Sequence, residues 1–275
     1  MPHVARIGVT PVKGLALVHP ERVELTEAGV PGDRDLYLVD EAGRMVAASE
    51  FGPLQTIRPR YEPAAARLSL TFPDGTVVED DACRRAEPLL TDFYGRPVAA
   101  HVVDGPWAAA LSAFVGLPVR LARCDRPGDG TDVHHVTVMS RASTAEVARR
   151  GGYAGELDGR RFRMTFELEG CAPHEEDAWT GRSVRFGDAE LRIHGSVPRC
   201  VVTTQDPATG RKDFDTLKVL ASYRELMHEE RGIPFGVYAE VERPGRVGVG
   251  DPVEVLEPRD PSVPAPRDED KEESP

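Results

Sequence analysis

The sequence predicts a mainly β protein with a few helices, an α+β fold of barrel or sandwich type. Three observations carry this. Short apolar, β-branched runs recur at close spacing, with Gly, Pro and Asp turns between them. Apolar residues at helical spacing are confined to three stretches. The 275 residues suffice for one large or two modest cores.

Residues 4–12 read as the first strand, ended by the turn Pro11-Val12-Lys13-Gly14, and residues 21–25 as the second. Leu36 and Leu38, the turn Asp40-Glu41-Ala42-Gly43, then Met45 and Ala47 read as a hairpin with alternating faces. Leu68, Leu70 and Phe72, then Pro73-Asp74-Gly75 and Val77, give another. A helix opens at Gly105-Pro106-Trp107 with Asp104 or Gly105 at its cap. Trp107, Leu111 and Phe114 share one inward face of it, and Gly116 stops it. Residues 118–123 read as a strand leading into a second domain, and 127–132 as a loop.

Residues 136–139 form the next strand. Ser143-x-x-Glu146 is a capping box, so a short helix starts near Thr144 and ends at Gly151-Gly152. Ser143 either serves that cap alone or, with the free N–H groups of the helix start, faces an anion. Residues 162–168 read as a strand, and 184–186 with 191–193 as a hairpin leading to Cys200. Asp215 or Thr216 caps a helix through about Met227, which Gly232-Ile233-Pro234 ends. Residues 247–249 and 253–255 are the last strands. Residues 258–275 hold six acidic and three basic side chains, −3 of the −12 net charge, and too few apolar ones to order themselves. They read as a disordered tail.

At 40% apolar and 29% charged residues the composition is that of a soluble protein. No apolar run approaches the ~18 residues of a membrane helix, so no membrane partner is expected. The start, Met1-Pro2-His3-Val4-Ala5-Arg6, lacks an apolar leader, which reads as cytoplasmic. A net charge of −12 argues against general nucleic-acid binding. An anionic cofactor would need a local basic cradle set against that field. The four cysteines, Cys83, Cys124, Cys171 and Cys200, include no C-x-x-C pair. That argues against a zinc ribbon or a redox dithiol, and the plant-type ferredoxin spacing is absent too.

The stretch Val197-Pro198-Arg199-Cys200-Val201-Val202-Thr203-Thr204-Gln205-Asp206-Pro207-Ala208-Thr209-Gly210 concentrates the chemistry. Its Asp-Pro-x-Thr-Gly close is a turn, which places Cys200 where a loop becomes a strand. A neighbouring Arg199 favours thiolate, which is both nucleophile and soft-metal ligand. A buried structural cysteine is the alternative.

Arg-Cys-x-x-Thr-Thr-x-Asp-Pro-x-Thr-Gly, followed by Leu217, Lys218, Leu220, Tyr223 and Arg224, resembles the MOSC domain of the amidoxime-reducing proteins. Arg161-Phe162-Arg163, the run Gly170-Cys171-Ala172-Pro173-His174-Glu175-Glu176-Asp177-Ala178-Trp179, and Val249-Gly250-Asp251-Pro252-Val253 continue the likeness. Pro11-Val12-Lys13-Gly14 and Gly32-Asp33-Arg34-Asp35-Leu36-Tyr37-Leu38-Val39 resemble the β-barrel that precedes MOSC in that family. The resemblance implies an N-terminal β-barrel-like domain over 1–118, a MOSC β-barrel over 119–257, and a tail over 258–275.

It also implies a molybdenum cofactor, a molybdopterin whose metal takes Cys200 as its protein ligand. One cysteine suffices when the cofactor brings the other ligands. Lys13 and Arg34 would reach the cofactor phosphate, a point charge and a forked donor. Gly14 stands where the family usually has Ser. Arg163 and Thr165 would lie near the pterin, with Thr165 in place of the family's Asn; Arg163 could instead pair with Asp177. Arg199 would sit beside the cofactor. Asp177 would relay protons to the metal or organise its loop, and His174 could donate a proton or be a bystander.

The implied reaction is reduction of N-hydroxylated compounds: amidoximes, hydroxylamines and N-hydroxylated bases. The alternative is a non-redox module that binds or carries the cofactor, or sulfur on Cys200, in cofactor sulfuration; a scaffold without a cofactor is a third reading. Pyridoxal phosphate is not expected in this chain. The sequence shows no nicotinamide, haem or iron–sulfur motif, so electrons would come from an external protein, a ferredoxin or flavoprotein reductase.

Overall fold

The computed structural model describes residues 1–83, 85–227 and 232–257. The expected tail at 258–275 lies outside the described residues. In chain order the first strands are β1 (His3–Ile7), β2 (Arg22–Leu25), β3 (Leu36–Val39), β4 (Met45–Val46), β5 (Arg58–Glu62), β6 (Arg67–Thr71), β7 (Val77–Asp81), β8 (Arg85–Phe93) and β9 (Arg96–Val103). Helix α1 (Trp107–Val115) and strand β10 (Arg120–Cys124) follow. The rest comprises β11 (Val136–Ser140), α2 (Arg141–Gly151), β12 (Phe166–Glu169), β13 (Ser183–Phe186), β14 (Ala189–Arg199), α3 (Thr216–Ala221), β15 (Ile233–Arg243), β16 (Gly245–Gly248) and β17 (Val253–Val255).

Seven strands form one sheet in the order β1-β12-β11-β15-β14-β13-β17. Its two edges nearly meet: His3 bridges Pro252, and the Val253 N–H donates to the Pro2 carbonyl at 2.9 Å. Closure on itself is how a sheet removes its exposed edges. Val4, Ile7, Val138, Phe166, Leu168, Phe186, Leu191, Ile193 and Val237 fill the interior. The first strand of the chain therefore completes the barrel of the second half. The other large sheet runs β4-β3-β10-β9-β8, beside the meander β5-β6-β7. The mainly β architecture, a nearly closed barrel and a partial one, agrees with the sequence-based expectation.

Several elements differ in detail. Strand β3 alternates as expected, but both of its faces are buried. Leu36 and Leu38 join one core with Trp107 and Leu111, while Tyr37 and Val39 join another with Phe93 and Val98. The strand expected to lead into a second domain is β10, which pairs with β3 and β9. Helix α1 has Pro106 at its cap position, not Asp104 or Gly105, and no side-chain cap.

Helix α2 starts earlier than Ser143. Ser140 is its cap and accepts from the Ser143 N–H, while Glu146 turns outward to Arg149 and Arg150. Residues 162–168 are not one strand: Gly159–Phe162 is a 3-10 turn, Arg163 is left-handed at φ 55°, and β12 begins at Phe166. Helix α3 ends at Ala221 rather than near Met227.

The long central strand β15 was not anticipated. Pro234 and Gly236 interrupt its apolar pattern, and Gly236 (φ 70°) lies in a bulge where the β14–β15 register slips between Ser196 and Pro198.

Candidate cofactor site

One open cleft, with a cavity volume of about 150 Å³, gathers residues far apart in the chain. Lys13 and Arg34 come from the first half, Arg161, Arg163 and Thr165 from the turn before β12, and Arg199 and Cys200 from the end of β14. Each is placed by a backbone device. The Lys13 N–H donates to the Leu36 carbonyl at 2.7 Å, tying the turn to β3. Arg34 is left-handed at φ 56° and its N–H donates to the Thr10 carbonyl at 2.7 Å. Among the described residues five non-glycine positions have positive φ, and three of them, Arg34, Tyr94 and Arg163, line the cleft. Such conformations cost about 1–3 kcal/mol each and collect where geometry serves a ligand.

Cys200 is exposed and follows the last residue of β14, where strand gives way to the 3-10 turn Val201–Thr204. The sequence reading had that order reversed. Its thiol is thus at the surface of the cleft and not in the core.

Five cations line the cleft. Lys13 Nζ donates to the Gly130 carbonyl at 2.8 Å and to Asp132 Oδ1 at 2.6 Å. Burial pulls the Lys13 pKa down against the pull of Asp132, and Arg34 and Arg163 add to the depression. For Asp132 burial pushes upward, but Lys13 and then Arg34 and Arg199 leave it below the usual range. Arg34 pairs with the buried Asp33 and donates to the Arg163 carbonyl at 3.0 Å. Arg161 is buried and forks onto Asp213 at 3.1 and 3.1 Å.

Arg163 and Arg199 are held differently, by neutral acceptors. Arg163 donates to the Leu15 carbonyl at 2.7 Å and to Gln55 at 3.4 Å. Arg199 donates to the carbonyls of Phe235 and Phe162, both at 2.9 Å, and its guanidinium lies over the Phe162 ring, which stacks on Phe235. Burial lowers each to about 10, which leaves both cationic at neutral pH. Carbonyls orient these guanidiniums without neutralising them. The wall therefore carries uncompensated positive charge within a chain of net charge −12. Thr165 is buried, exchanging hydrogen bonds with Thr137 across the cleft floor.

Three expected site residues lie elsewhere. Ser143 is buried and donates to Glu176 Oε1 at 2.7 Å, so it ties α2 to the loop before β13 and does not line the cleft. Asp177 pairs with Arg224 at 2.7 Å, also outside the cleft, and not with Arg163. His174 Nε2 meets the Tyr223 hydroxyl at 3.2 Å, away from the cleft lining. Ser143 and Asp177 were misplaced because helix register and loop path, not residue type, decide which way they point.

Comparison with known proteins gives the family. The MOSC domain family model matches residues 125–254, and the MOSC N-terminal beta barrel domain model matches residues 1–90. The human mitochondrial amidoxime reducing component 2 is 34% identical over 91% of this chain and 82% of its own length. The chain belongs to the MOSC-domain family. The human mitochondrial amidoxime-reducing component 1 is 27% identical over 92% of this MOSC protein and 82% of its own length. The molybdenum cofactor sulfurase of Drosophila grimshawi is 24% identical over 93% of this chain but only 35% of its own length.

The residues fit an anionic, metal-bearing cofactor. The cationic wall suits a phosphate, and the exposed Cys200 thiol at the same cleft suits a soft metal. Residues that the sequence reading passed over also line it: Tyr94 from the β8–β9 hairpin, Asp132, His134, His135, Arg161 and Tyr238. Tyr94-Gly95 between two apolar runs was a readable hairpin signal, with both residues at positive φ. Arg161 stood in the quoted motif, two residues before Arg163. His134 and His135 carried no local signal.

Proposed function

We propose that this MOSC protein reduces N-hydroxylated compounds at a molybdenum cofactor bound in the cationic cleft, with Cys200 as the protein ligand of the metal. The observation that carries this reading is the pairing of an exposed thiol with two guanidiniums, Arg163 and Arg199, that neutral carbonyls hold. The names of the human relatives, amidoxime-reducing components, support the choice of substrate class.

Lys13 and Arg34 would hold the phosphate, and Arg163, Thr165 and Arg199 would flank the pterin. When bound, the cofactor supplies the two-electron chemistry. Converting N–OH to N–H takes two electrons and two protons and releases water. Asp177 is turned away, so proton delivery falls to a cleft imidazole, His135, whose Nδ1 lies 3.4 Å from the Thr131 hydroxyl. The guanidiniums remain protonated and hold charge without supplying protons. Electrons come from a separate protein, a ferredoxin or flavoprotein reductase.

The test is a molybdenum assay on the purified protein, followed by benzamidoxime reduction with a reduced viologen dye. Stoichiometric molybdenum with turnover supports the reading. Molybdenum without turnover favours the carrier alternative, and protein without molybdenum refutes both the reductase and a carrier of the cofactor, leaving only sulfur carriage on Cys200. Rapid turnover with NADPH and no added protein would refute the external donor.

A further inference from the structure

We propose that His134, His194 and Glu240 form a binding site for a divalent transition-metal ion of the zinc type, beside the cationic cleft and independent of Cys200. The reading does not rest on the proposed reductase function.

One ligand atom from each side chain lies within 4.8 Å of the other two. The three come from separate elements: His134 precedes β11, His194 is on β14 and Glu240 is on β15. A local irregularity brings them together. The β14–β15 register slips between Ile193 and Ser196, so His194 lies in a bulge, while Glu240 faces Arg192 in the regular ladder. A bulge re-aims a side chain, and here it brings the His194 Nε2 to 3.0 Å from Glu240. It also sets the His194 ring parallel to His134, with centroids 4.2 Å apart and planes within 10°. His134 lines the cleft and leans on Tyr238, which lines it too. The site thus shares a wall with the cleft but takes none of its five cations.

Two imidazole nitrogens and a carboxylate oxygen are the donor set of three-ligand zinc sites, which keep the fourth position for water. Calcium and magnesium prefer oxygen-only shells, so the nitrogen donors select zinc, cobalt or nickel. Tetrahedral coordination at about 2.0–2.2 Å needs donors roughly 3–3.5 Å apart. Binding an ion turns the two stacked rings so that their in-plane lone pairs converge and closes the present spread by about an ångström, through rotamer shifts of two half-buried histidines and an exposed glutamate.

The test is titration of the full-length protein with Co²⁺ by visible absorption and with Zn²⁺ by calorimetry. It is repeated in a Cys200→Ala background. One ion per chain is expected in both. His194→Ala and Glu240→Gln should each weaken binding at least tenfold, and His134→Gln should do the same. Melting curves of these variants, changed at partly exposed positions, establish that they fold. X-ray absorption of the zinc-loaded protein should show a nitrogen and oxygen shell containing two imidazoles. Undiminished binding in His194→Ala, loss of binding in Cys200→Ala, or sulfur in the zinc shell overturns the proposal.

Discussion

Lys13 and Asp132 form one salt bridge at the cleft, and substituting its two partners should move anion binding in opposite directions. Lys13→Met removes an ammonium that faces the proposed phosphate. A charge-assisted hydrogen bond contributes about 1.5–3 kcal/mol, so affinity should fall tenfold to about 150-fold. It also leaves the Asp132 carboxylate without its 2.6 Å partner, adding negative charge where the anion binds. Asp132→Asn does the reverse by freeing the ammonium. The Asp132 side chain is 53% exposed, so solvent screening limits the gain to about 0.5–1 kcal/mol, a two- to fivefold increase in affinity. The assay is calorimetric titration of cofactor-free protein with inorganic pyrophosphate at fixed ionic strength, with molybdenum content as a second readout. The double variant should bind better than Lys13→Met alone. Equal losses in both single variants would refute the reasoning, because they would show that the pair holds the fold together and does not set the field of the cleft.

Cys200→Ala should abolish N-hydroxy reduction while leaving the melting temperature unchanged, since the thiol is exposed; full activity in that variant would remove Cys200 from the metal. Asp35 gives a pH signature: burial raises its carboxyl to about 6 against an ordinary 3.8. The folded state therefore binds the proton more tightly than the unfolded one, so stability is greatest at low pH and falls as pH rises from about 4 through 6. Asp35→Asn should remove that fall and stabilise the protein at pH 8 by at most about 3 kcal/mol, measured by urea denaturation at several pH values. Arg161→Met should cost about 2–4 kcal/mol by the same method, because it leaves Asp213 and the Thr203 carbonyl without their buried donor. Asp213→Asn should cost less, since Asp213 meets solvent; the opposite ranking would show that Arg161 does not depend on this pairing.

How much of the fold was legible depended on whether a strand declares itself locally. The β6–β7 hairpin did, since Leu68, Leu70 and Val78 alternate around Pro73-Asp74-Gly75. The β13–β14 hairpin did as well, around Gly187. Strand β15 did not. It lies at the middle of the barrel with β11 and β14 on either side, so most of its residues are buried on both faces and the period of two disappears. Strands β8 and β9 were hidden for another reason: Glu87, Asp92, Arg96 and His101 break up their apolar pattern, and only the Tyr94-Gly95 turn between them marks the pair locally.

The site divides along the same line. Lys13, Arg34, Arg163, Thr165, Arg199 and Cys200 were found through motif resemblance, and the fold brings all of them to one cleft. No motif states what neutralises each charge, and the sequence alone could not. A chain of net charge −12 has carboxylates enough to pair every cation in the cleft. It pairs Lys13, Arg34 and Arg161 with Asp132, Asp33 and Asp213. Arg163 and Arg199 are held by carbonyl oxygens from Leu15, Phe162 and Phe235 instead. Backbone acceptors come from turn conformation, here the left-handed Arg163 and the bulge at Gly236, so this choice is made by geometry and not by residue type. The consequence is functional. A carboxylate partner would cancel the charge that an anion needs, whereas a carbonyl fixes the fork and leaves the charge available. Replacing a carbonyl-held guanidinium should therefore cost anion binding more than replacing a carboxylate-paired one.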